Sequence, residues 1–98
     1  MTRRTFRQHI AVLRREFPLD RPVIVRRVPM PGYWGWTTKT SKAFYISLNK
    51  DAKLDAQKDT ITHEWAHCMV DWAVKEQHCA KWGIAYARIS RYFDHEDD

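Results

Sequence analysis

The sequence predicts an α+β domain with a small sheet of about three strands and three helices, and three observations carry that prediction. Apolar residues recur at helical intervals near both ends and in the region 54–74, apolar and polar residues alternate between positions 22 and 49, and turn-forming residues separate the two regimes. With 98 residues the chain fits one domain, 1–98, which buries a modest fraction of its unfolded surface. Thirteen aromatic residues, five of them Trp, help to fill so small a core.

The first helix is read from Phe6, Ile10, Leu13 and Phe17, spaced four, three and four, with Arg7, Arg14 and Arg15 projecting elsewhere. Thr5 followed by Gln8 has the pattern of a capping box, Thr2 is a competing start, and Pro18 ends the helix. The segment Pro22 to Val28 is β-branched and bounded by prolines, which suits a short edge strand. After the turn Pro31-Gly32, the aromatic run Tyr33, Trp34, Trp36 suggests a second strand, in which Gly35 marks a bulge or a close backbone approach. Phe44, Ile46 and Leu48 alternate with Ala43, Tyr45 and Ser47, the pattern of a third, half-buried strand.

Asn49 to Asp55 supplies turn and helix-starting residues ahead of a long helix expected to reach about Val74. Leu54, Ile61, Trp65, Met69 and Trp72 fall on one side of it, and His63 and His67 lie roughly opposite. A last helix follows from Trp82, Tyr86, Ile89 and Phe93, again spaced four, three and four.

Charge is divided unevenly. Residues 1–50 carry eleven Lys/Arg against Glu16 and Asp20, a net of +9, whereas residues 51–98 carry a net of −4. The bland reading is two solvated surfaces; the sharper one is a basic N-terminal half that meets nucleic acid. The only cysteines are Cys68 and Cys79, each directly after a histidine, and two cysteines do not make a disulfide-stapled secreted scaffold. The basic N-terminus mixes charged and apolar residues and lacks the apolar core of a signal peptide. No run of about 18 apolar residues occurs, so no membrane span is expected and the cytoplasm is the expected compartment.

The chemistry is concentrated in His63-Glu64-Trp65-Ala66-His67, an H-E-x-x-H motif inside the long helix. A spacing of four puts both imidazoles on one face, one turn apart, where both can reach one zinc ion. Glu64 projects about 100° away and serves as general base. It takes a proton from a metal-bound water whose pKa zinc lowers to about 7 and returns it to the leaving amine of a peptide bond. At this composition the motif arises by chance in roughly 1 in 100 chains, before the requirement that it fall within a helix.

A catalytic zinc takes three protein ligands, and His78, eleven residues beyond His67, is the first histidine after the motif. Its rivals are Glu76, Asp71 and Cys79; Asp71 follows His67 at the same four-residue interval and could instead orient an imidazole. The metzincin pattern is excluded, because Val70 and Ala73 stand where that class needs Gly and His.

The motif followed by His78-Cys79-Ala80-Lys81-Trp82-Gly83-Ile84-Ala85-Tyr86-Ala87-Arg88-Ile89 resembles the SprT-like zinc metallopeptidases, and small phage zincins as well. The resemblance spans about residues 43–93. It implies a minimal zincin-like fold, Zn²⁺ held by His63, His67 and His78, Glu64 as catalytic base, and a peptide or protein substrate. Relatives of that kind act on proteins bound to DNA. Tyr86 and Tyr45 are candidate donors to a tetrahedral oxyanion, and the strand Phe44 to Leu48 is a candidate edge for an extended substrate. The competing function is a non-catalytic module in which a structural zinc, closed by a fourth ligand such as Cys79 or Asp71, stabilises a nucleic-acid or protein binding surface.

Overall fold

A computed structural model describes residues 4–70 and 80–96. The element order is α1 (Phe6–Glu16), β1 (Val23–Val28), β2 (Gly35–Lys39), β3 (Phe44–Asn49), α2 (Leu54–Cys68) and α3 (Ala80–Glu96), the expected α+β composition. Thr5, not Thr2, starts α1. Its hydroxyl accepts from the Gln8 amide at 3.1 Å while the Gln8 side chain accepts from the Thr5 amide at 2.9 Å, which satisfies two donors that the first turn would otherwise leave unpaired. The Phe17 amide donates back to the Leu13 carbonyl at the other end, and Pro18 follows.

The sheet has the order β1-β3-β2, with β1 parallel and β2 antiparallel to β3. β1 lies at an edge, as its flanking prolines require. The strand Phe44 to Leu48 does not: it is the central strand, paired on both sides, and its main chain is already committed to the ladder. Alternation sends Phe44, Ile46 and Leu48 to the inner face, all almost fully buried, and Tyr45 and Ser47 to the outer face. β2 begins at Gly35, so Tyr33 and Trp34 precede the strand.

α2 lies on the inner face against β3 and β2, and α1 and α3 pack on α2. Leu13, Ile46, Leu48, Ile61, Trp65 and Ile89 form the centre of the core, where the Trp65 indole N–H donates to the Phe17 carbonyl at 2.9 Å. A buried indole with its one donor satisfied contributes its full apolar area without an orphaned polar group. His9 of α1 is also buried: it stacks on Phe93 at 4.0 Å and its Nε2 lies 3.0 Å from the Thr62 hydroxyl, so it joins the three helices as a packing residue.

Two expectations for α2 are corrected. The helix ends at Cys68, capped by Met69, six residues before Val74; Asp71 to Val74 and Trp72 fall outside the described residues. Leu54, placed on the core side by periodicity, is 42% exposed, at the first residue of the helix. Among the described residues no helix is long and apolar enough to cross a membrane.

Gly35 fulfils the expected close approach. A Cβ there would lie 2.7 Å from Thr60 Cγ2, 3.1 Å from Leu48 Cδ2 and 3.2 Å from the Ser47 carbonyl oxygen, so its hydrogen lets β2 rest directly on α2. Gly35→Ala is expected to cost about 1–3 kcal/mol in chemical denaturation. Adding Thr60→Ser should recover much of that loss, since it removes the offending methyl and keeps the hydroxyl that donates to the Ala56 carbonyl at 2.8 Å. A Gly35→Ala chain of parental stability would overturn the contact.

Candidate metal centre

The chemical side of α2 divides between its two neighbours. His63 and His67 turn toward α3 and Glu64 turns toward β2. The two imidazole Nε2 atoms are 3.2 Å apart, a separation that suits a hydrogen bond with one ring donating. It also suits one shared metal ion: two nitrogens each at about 2.0–2.1 Å from a tetrahedral ion lie roughly 3.3–3.4 Å apart. The helical spacing thus brings one nitrogen of each ring together at a separation that two ligands of one zinc ion would have.

Trp82 of α3 covers the pair. Its ring centroid is 4.9 Å from that of His63 and 5.4 Å from that of His67, and its indole N–H donates to the His63 carbonyl at 3.3 Å. Tyr86, one turn on, stacks on Trp82 at 5.3 Å. The sequence placed both aromatics in a core stripe; only the far end of that stripe, Ile89 and Phe93, enters the core, while the near end walls the histidines.

Glu64 is held from the sheet. The Thr37 hydroxyl donates to Glu64 Oε2 at 2.5 Å, which fixes one carboxylate oxygen and leaves Oε1 for proton transfer. Thr37 alternates with the outward Trp36, and that alternation alone places it on the face that meets α2. Beside Glu64 opens a pocket of about 500 Å³, lined by Tyr33, Trp34, Asp59, Thr60, His63 and Glu64 among others. The cleft therefore lies between α2 and the approach to β2, rather than against the strand Phe44 to Leu48.

Asp59, one turn before His63, accepts a 2.5 Å hydrogen bond from the Tyr86 hydroxyl. That bond, and secondarily burial, pushes the Tyr86 phenol up to about 12, so it stays protonated with its one proton committed to Asp59. Asp59 carried a signal in the sequence, the same four-residue interval that relates His63 to His67. Tyr45, the other candidate donor, is on the outer face of the sheet and cannot reach this site. Cys68 is a buried free thiol that burial pushes up to about 12.

His78, with its rivals Asp71, Glu76 and Cys79, lies outside the described residues. Among the described residues no third His, Cys, Asp or Glu joins His63 and His67 as a metal-binding group. No protein-family model, no curated protein and no solved structure matches the chain. The likeness to SprT-like peptidases is carried by the quoted residues alone.

The basic N-terminal half keeps Arg14, Arg15, Arg26 and Arg27 exposed. Several of its arginines serve the fold: Arg14 donates to the Val23 carbonyl at 2.9 Å, Arg15 pairs with Glu16, Arg21 pairs with Asp20 and donates to the Thr40 carbonyl, and Arg27 lies over the Phe6 ring.

Proposed function

We propose that the chain is a minimal zinc-dependent metallopeptidase of the SprT-like kind, acting on peptide bonds in the cytoplasm. The observation that carries this reading is the convergence of His63 Nε2 and His67 Nε2 at the spacing of two zinc ligands, with Glu64 held beside them by Thr37 at the rim of an open cleft. His63, His67 and His78 would hold the metal. When bound, zinc acidifies a water and polarises the scissile carbonyl. Glu64 Oε1 takes the proton and delivers it to the leaving nitrogen, while the bond from Thr37 keeps the carboxylate from rotating away. Tyr86 stands beside His63 with its hydroxyl proton committed to Asp59, so it walls the site and would donate to an oxyanion only on release from Asp59.

β2 is the edge strand beside the cleft, so an extended peptide would add to its outer edge by main-chain hydrogen bonds, with Tyr33 and Trp34 against its side chains. The free thiol Cys68 agrees with a reducing compartment. The test is metal removal: hydrolysis of a denatured protein substrate should disappear after dialysis against a chelator and return with about one equivalent of Zn²⁺ per chain. Hydrolysis that survives complete zinc removal would exclude the reading.

A further inference from the structure

The outer face of the sheet is unlike an ordinary solvated surface. Residues 21–50, which contain all three strands, include six Lys/Arg and no Asp or Glu. Within that basic segment, Trp36 is 61% exposed and Tyr45 is 39% exposed. The register puts them on one face: Trp36 and exposed Arg26 flank Ser47 in one row across the strands, and Thr38 and Ile24 flank Tyr45 in the next. Trp36 and Tyr45 are diagonal neighbours, so their rings stand about 7–8 Å apart at the backbone. This face is opposite the one that packs on α2, and nothing in the metal reading uses it.

We propose that this face binds single-stranded nucleic acid, with Trp36 and Tyr45 as stacking platforms for bases and Arg26 as a phosphate contact. Trp36 and Tyr45 stand together as an exposed aromatic pair on a face whose strands carry no carboxylate, and unstacked bases offer the flat π-faces that such rings accept. Arg26 on the face, exposed Lys39, Lys42 and Lys50 in the same segment, and the absence of any carboxylate from residues 21–50 favour a polyanion. That charge also disfavours a second copy of the chain, whose matching face carries charge of the same sign. A duplex hides its base faces and would gain only the phosphate contacts. The inference is independent of zinc and of peptide hydrolysis.

The test is a fluorescence titration of the full chain at low salt with oligo(dT), oligo(rU), a duplex of equal length and phosphatidylserine-containing vesicles. Single strands should quench the tryptophans and bind more tightly than the duplex. Trp36→Ala with Tyr45→Ala should weaken binding by roughly 30-fold or more. Arg26→Ala should lower the slope of log affinity against log salt by about 0.7. Arg14→Ala with Arg15→Ala, on α1, should change affinity little, since neither side chain is on the outer face of the sheet. Should the aromatic double variant unfold, Arg26→Glu alone decides, with an expected loss of about 10-fold or more. The proposal is overturned by absence of oligonucleotide binding at low salt, by equal affinity for the duplex, by vesicle binding in its place, or by folded sheet-face variants that bind like the parent.

Discussion

Glu64→Gln is expected to retain zinc and thermal stability and to lose hydrolysis by roughly 10²–10⁴-fold, because the amide preserves the shape of the side chain and cannot accept a proton. The geometry sharpens that expectation. Thr37 donates to Oε2 of Glu64, and because a hydroxyl both donates and accepts, it can hold a Gln amide by either its oxygen or its NH₂. The variant side chain therefore stays in place while its basicity is lost. Thr37→Val provides a graded comparison: it removes the restraint and keeps the carboxylate, so kcat should fall about 10-fold with KM little changed, and Thr37→Ser should restore it. A metal-loaded Glu64→Gln chain with parental turnover would remove Glu64 from the base role.

What could be read in advance separates along a physical line. Elements fixed by local chemistry were legible: the Thr5–Gln8 capping box, the alternation of Phe44, Ile46 and Leu48, the edge position of the proline-flanked β1 and the close approach at Gly35 all follow from residues within a few positions of one another. The order of strands was not. β3 is central because β1 pairs with it in parallel across the intervening β2, a non-local pairing that alternation cannot specify. Periodicity likewise sorts residues by side but not by neighbour. It grouped Trp82 and Tyr86 with Ile89 and Phe93, although the first pair walls the histidines and the second pair fills the core. It left the arginines of α1 facing outward, although Arg14 turns back to a carbonyl of β1. The pairing of His63 with His67 was legible because a helix makes that geometry local, whereas Thr37, 27 residues away from Glu64 in sequence, entered only through the packing of β2 on α2.

His63→Ala and His67→Ala should each abolish stoichiometric zinc binding and, with it, the zinc-dependent part of thermal stability. A ligand that binds only the folded chain and is present at a hundredfold over its Kd adds about 2.7 kcal/mol, which for a domain of this size corresponds to roughly 10–20 °C in Tm. Both histidines also pack under Trp82, so each variant must be compared with the chelator-treated parent, and it is the rise in Tm on adding Zn²⁺ that should vanish. The third ligand is then assigned by the same measurement. His78→Ala should lower zinc affinity far more than Asp71→Asn, Glu76→Ala or Cys79→Ser, because three neutral imidazoles leave a fourth position for water, whereas a thiolate would close the site as structural zinc does. Cobalt substitution reports the donor directly: a site of three histidines lacks the sulfur-to-metal charge-transfer absorption that Cys79 would introduce. Loss of zinc in Cys79→Ser together with that absorption in the parent would replace the peptidase by a zinc-stabilised module, and full zinc occupancy in both His63→Ala and His67→Ala would move the metal away from α2 altogether.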